Sequence, residues 1–111
     1  MSDSTDSLGL PVDTGYLLPD RSWFASYARY LIDVKRGAVS VVSLDYRHLR
    51  DVVSYGEKYS LPPEAILYAE RRLREAAEQD RGDSRRWLAD AYAVREAVRE
   101  QEARRLEGTT P

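Results

Sequence analysis

His48 is the single histidine of the 111-residue chain, and it stands between Arg47 and Leu49 with no second histidine to make a metal pair. Acid–base or nucleophilic work by an imidazole needs an oriented partner, and no serine-nucleophile pattern lies near it. It is expected as an exposed position on a helix. Carboxylates offer a second route, and Glu75 with Glu78 and Glu96 with Glu100 are set at helical-neighbour spacing. Both pairs are interleaved with arginine, which is the pattern of a salt-bridged helix surface rather than of a carboxyl pair tuned in a cleft. The chain has no cysteine, so zinc fingers, iron–sulfur clusters, disulfides and thiol nucleophiles fall away together. No phosphate loop, dinucleotide fingerprint or calcium loop is present. The expectation is a protein that is not an enzyme and uses no cofactor and no metal.

Binding chemistry is better represented. Fifteen arginines accompany only Lys35 and Lys58. Arg47, Arg50 and Lys58 on one expected helix, with Arg71, Arg72 and Arg74 on the next, could flank a phosphate backbone in the manner of a helix-turn-helix. Against that reading, Pro62 and Pro63 occupy the turn, Asp45, Asp51 and Glu57 dilute the basic face, and the isoelectric point is about 5.4. The aromatic load is heavier still: eight tyrosines, two tryptophans and Phe24, more than one small core can hold. Tyrosine and tryptophan favour protein interfaces because they bury large areas at low entropy cost. Tyr55 and Tyr68 fall outside the apolar stripes assigned below and are nominated as contact residues, together with Leu8, Leu10, Val12, Tyr16 and Trp23.

Charge is segregated along the chain. The formal net charge of −2 hides a balance of −4 over residues 1–20, which contain Asp3, Asp6, Asp13 and Asp20 and no basic residue, and of +3 over residues 21–60. With no signal-peptide pattern and no apolar run of membrane-spanning length, the chain reads as cytoplasmic, or as part of a particle assembled inside the cell, with no membrane partner. A composition 42% hydrophobic and 32% charged suits one soluble domain.

The elements that would position these groups are helices. Residues 1–7 are small, polar and acidic and lack the apolar surface that offsets ordering entropy, so 1–19 is expected as a flexible arm. Within it, residues 8–18 alternate apolar side chains around Gly9, Pro11 and Gly15, as a segment docking on a partner or on its own domain would. Asp20 is a good N-cap for a first helix that runs to Arg36 and stops at Gly37. Phe24, Tyr27, Leu31 and Val34 form its stripe, which Trp23 and Tyr30 widen, and so many aromatics on one helix argue for central burial. Residues 38–42 are β-branched and admit a short strand if 8–12 or another subunit pairs with it, and are otherwise an extended connection or an early turn of the next helix.

A second helix should begin near Ser43 or Asp45, end near Ser60, and turn Tyr46, Leu49, Val53 and Gly56 inward. Gly56 there either allows close helix approach or marks a kink. Pro62, Pro63 and Glu64 announce a third helix reaching about Asp80, with Ile66, Ala69, Leu73 and Ala76 as its stripe. The segment 81–84 then closes a hairpin onto a fourth helix that ends at Leu106 or Glu107, leaving 108–111 as a disordered tail. Its seam is Trp87, Ala91, Val94 and Val98, fading at Gln101 and Arg105.

The sequence thus predicts an all-α domain of about four helices over 20–107, the last two an antiparallel hairpin. Its expected role is that of a non-enzymatic subunit or adaptor of a larger protein assembly, such as a phage, virion or nucleoprotein component, with itself or another protein as partner. The second reading is a helix-turn-helix-like accessory protein that binds nucleic acid.

Overall fold

The computed structural model describes residues 20–40 and 44–108. These form α1 (Arg21–Lys35), α2 (Tyr46–Tyr55), α3 (Pro63–Glu78) and α4 (Ser84–Gly108), and no strand or sheet is present among them. The all-α architecture and the α3–α4 hairpin expected from the sequence are what is observed.

Each boundary has a local cause. The Asp20 carboxylate accepts a hydrogen bond from the Trp23 amide at 2.9 Å, and the Asp45 carboxylate accepts one from the Arg47 amide at 2.8 Å, so both caps satisfy donors that a helix start leaves orphaned. Pro63 opens α3 at a position where its missing N–H costs nothing. The ends of the first three helical runs share one device. Gly37, Ser60 and Asp80 all take left-handed φ values, of 79°, 57° and 57°. After each, a 6→1 bond folds the chain back: Ala38 N–H donates to Asp33 O, Leu61 N–H to Gly56 O, and Arg81 N–H to Ala76 O, at 2.9, 2.9 and 3.0 Å. These are Schellman closures, and only the first has the glycine that makes such a turn visible in sequence.

The core sits where α2 is enclosed. This short helix packs against both α3 and α4, while α1 lies across α3. Phe24, Leu31, Leu49, Val52, Val53 and Leu73 are fully buried between them. Gly56 permits the approach of α2 to α3, since a Cβ there would lie 2.7 Å from Cγ1 of Ile66. Ion pairs tie the layers at their rims. Glu64 accepts from both Lys35 and Arg36, joining the end of α1 to the start of α3, and Glu57 takes a two-pronged Arg99 from α4. In the hairpin, Glu70 of α3 accepts from Tyr92 and Arg95 of α4, and Arg85 donates to the terminal carbonyl of Ala77, which fixes the antiparallel sense.

Of the segment left open between a strand and a connection, residues 38–40 are a connection, and 41 and 42 lie outside the described residues. Other expectations require correction. Helix α2 stops at Tyr55, the next residues forming turns instead, and it buries more than one stripe. Asp51, Val52, Ser54 and Tyr55 join Leu49 and Val53 inside because neighbours press on it from several sides, while Tyr46 is only half-buried. The aromatics of α1 divide: Phe24 is central, but Trp23, Tyr27 and Tyr30 are half-buried on its flank. Along α4, burial fades as expected, from Ala91 and Val98 to an exposed Arg105. No described helix is long and apolar enough to cross a membrane.

Candidate protein-binding face

The flank of α1 carries an ordered aromatic array. Residues 23, 27 and 30 recur at helical spacing, so their side chains emerge along one side of the helix. Trp23 and Tyr27 stack with ring centroids 4.9 Å apart and planes 9° from parallel. His48, from the first turns of α2, sets its ring edge-on to both, at 5.0 Å from Trp23 and 5.3 Å from Tyr27. Tyr30 continues the array at 5.8 Å from Tyr27. On the inner side Trp23 meets Phe24, which leads to the buried Tyr55 and the half-buried Tyr59. The half-exposed rings are therefore anchored to buried ones.

This packing has an electrostatic signature. Burial pushes the Tyr27 phenol far above its ordinary value, and the neighbouring Asp45 carboxylate and Tyr30 add to the shift. Tyr27 accordingly stays neutral at any ordinary pH. His48 is the correction here: it is half-buried against two aromatic rings, not an exposed helical position. No group of three or more histidines and carboxylates that could hold a metal ion occurs among the described residues.

The sequence-nominated contact residues fare unequally. Trp23 lies in the array. Tyr55 and Tyr68 do not face solvent: with 8% and 6% of their surface exposed they belong to the core, because α2 is enclosed on several sides and Tyr68 is roofed by Arg71 and Arg72. Leu8, Leu10, Val12 and Tyr16 lie outside the described residues. Tyr27 and Tyr30 were missed as surface groups, and His48, expected at the surface, was not foreseen as part of the array. Their spacing with Trp23 was visible, but no sequence signal told that the stripe would lie on the flank of the core rather than at its centre.

The six basic candidates divide among different surroundings. Arg50 is largely buried, donates to Asp51, approaches Asp90 at 3.8 Å and lies over the Trp87 ring, where Arg47 also sits. Lys58 is beside Tyr59, near Glu102. Arg74 is exposed, with Tyr92 of α4 in its field. Arg71 and Arg72 do converge, on an open groove between the start of α2 and the end of α3, where Arg81 joins them. Three of the four glutamates of the sequence pairs are in ion pairs, Glu75 with Arg71 and Arg72, Glu96 with Arg99, and Glu100 with Arg104.

Comparisons of this chain with protein-family models, with curated proteins and with solved structures find no match.

Proposed function

We propose that the chain is a non-enzymatic helical subunit of a larger protein assembly, which docks through the aromatic flank of α1 and the first turns of α2 onto a protein partner, in the first place a second copy of itself. The observation that carries this reading is the half-exposed stack of Trp23 on Tyr27 with His48 wedged edge-on to both. Interface hot spots are enriched in tryptophan and tyrosine, held rigid and ready to lose their remaining water. An array fixed by rings in the core is already ordered, so docking loses little side-chain entropy. Tyr30, half-buried at the end of the array, carries a polar tip of the kind that bonds across interfaces. The apolar alternation of Leu8, Leu10 and Val12 in the residues preceding Asp20 supports the same reading, as further surface for a partner.

The test uses Ser26, which is exposed and lies three residues after Trp23 and four before Tyr30, on the same side of α1. Ser26→Glu places a charge beside the array without touching the core. The expected result is association of the wild type and loss of it in the variant, at unchanged helicity. Association equally strong in both proteins refutes this face as the docking surface.

A further inference from the structure

The groove between α2 and α3 is a separate feature, and its chemistry is that of an anion site. It encloses about 310 Å³, at the small end of ligand pockets. One side is made by the half-buried ring of Tyr46 and by Leu44 and Leu49, which are buried; on the other stand Arg71, Arg72 and Arg81. Three guanidiniums face a single carboxylate, Glu75, whose oxygens are 3.9 and 3.8 Å from the nearest nitrogens of Arg71 and Arg72. Those separations are ion pairs without hydrogen bonds, so the guanidinium donors remain largely unengaged.

Two of the arginines are also held in place. Both Arg71 and Arg72 lie over the ring of the buried Tyr68, at 5.1 and 5.6 Å, and Arg72 donates to its hydroxyl at 2.7 Å. Arg81 is brought to the groove by the turn in which its backbone N–H closes the end of α3 on Ala76 O; its side chain is exposed and makes no ion pair among the described residues. Gln79 adds an amide to the rim.

We infer that this groove binds a small organic phosphate, a phosphomonoester carried on a compact planar or apolar body, of which a nucleoside monophosphate is the simplest form. Guanidinium forks match phosphoryl oxygens in pairs. The excess of two positive charges in the groove equals the charge of a phosphomonoester dianion. The half-buried ring of Tyr46 is the apolar contact left for the body, and the volume admits one such unit rather than a strand. None of these residues belongs to the aromatic array, so the site stands or falls independently of the assembly reading.

Calorimetry and amide-shift mapping on the full chain in low salt test it, with adenosine monophosphate, inorganic phosphate, adenosine and an unphosphorylated single-stranded oligonucleotide as probes. Adenosine monophosphate should bind and shift amides over 44–49 and 71–81. Inorganic phosphate should bind at least tenfold more weakly, and adenosine more weakly still. Arg81→Glu and Gln79→Glu, both at exposed positions, should each weaken adenosine monophosphate binding at least tenfold without loss of helicity. No binding of adenosine monophosphate at millimolar concentration overturns the inference. So do equal binding of adenosine, indifference to both substitutions, or an oligonucleotide that binds more tightly, which would mark a strand-binding surface instead.

Discussion

The tightest contact between α2 and α3 predicts the effect of one methyl group. A Cβ on Gly56 would lie 2.7 and 2.9 Å from Cγ1 and Cδ1 of Ile66, and 2.5 Å from the carbonyl oxygen of Val52. Cγ1 is next to the branch point of Ile66, so the side chain cannot clear the new atom by moving its tip alone. Overpacking of this kind costs about 1 to 3 kcal/mol, and two simultaneous overlaps, one with backbone, place Gly56→Ala at the upper end. The gain in helix propensity returns about 1 kcal/mol at most. The net loss is about 2 kcal/mol, which for a domain of this size lowers Tm by roughly 8 to 16 °C. Urea and thermal unfolding followed by circular dichroism measure it. Because the overlap involves Ile66, the cost of Gly56→Ala should shrink by about 0.5 kcal/mol or more in an Ile66→Ala background. A Gly56→Ala protein as stable as the wild type, or strict additivity with Ile66→Ala, refutes the close approach as the reason for glycine.

Ser60 and Asp80 hold left-handed conformations that disfavour a Cβ. Ser60→Gly should therefore stabilise by about 0.5 to 1 kcal/mol, after the added freedom of glycine in the unfolded chain is counted; a lower urea midpoint contradicts this. Asp51 is fully buried beneath Arg50, so Asp51→Ala should cost about 3 kcal/mol by leaving a largely buried guanidinium short of its partner, read as a lower urea midpoint. Arginine partners hold the Glu57 and Glu102 carboxyls below their ordinary value, and Glu64 is held likewise by Arg36 and Lys35. A lowered carboxyl contributes stability that is present above its unfolded pKa and is lost as pH falls through the folded one. Tm should hold from neutrality to about pH 4.5 and decline below it, less steeply in Glu57→Gln; a Tm that rises on acidification is the contrary result.

The helices were legible because their signals are local. Asp20 and Gly37 bracket α1, Pro63 opens α3, and the stripes of 3.6 period place Phe24, Leu31, Leu49, Leu73, Ala91 and Val98 inside. What the sequence left open depends on neighbours. The end of α2 was misplaced because its closing turn uses Ser60, and no residue type there announces a left-handed turn. Asp51 and Ser54 look like surface residues on any stripe and are buried only because α2 is enclosed on several sides. Tyr68 looked like a surface tyrosine for the reverse reason, its roof being two arginines from its own helix. The groove was half visible, since Arg71 and Arg72 stood out as a basic pair. Arg81 joins them through the turn at Asp80, which brings a loop residue beside the last turns of α3, and helical spacing cannot show that.

The assembly reading is tested most directly by absolute molar mass from light scattering over a concentration series, on the full chain and on Ser26→Glu. The expected result is a mass for the wild type that rises above the 12.7 kDa of one chain as concentration increases, and 12.7 kDa throughout for the variant. A wild type that stays at 12.7 kDa at every concentration contradicts self-association through the aromatic flank of α1.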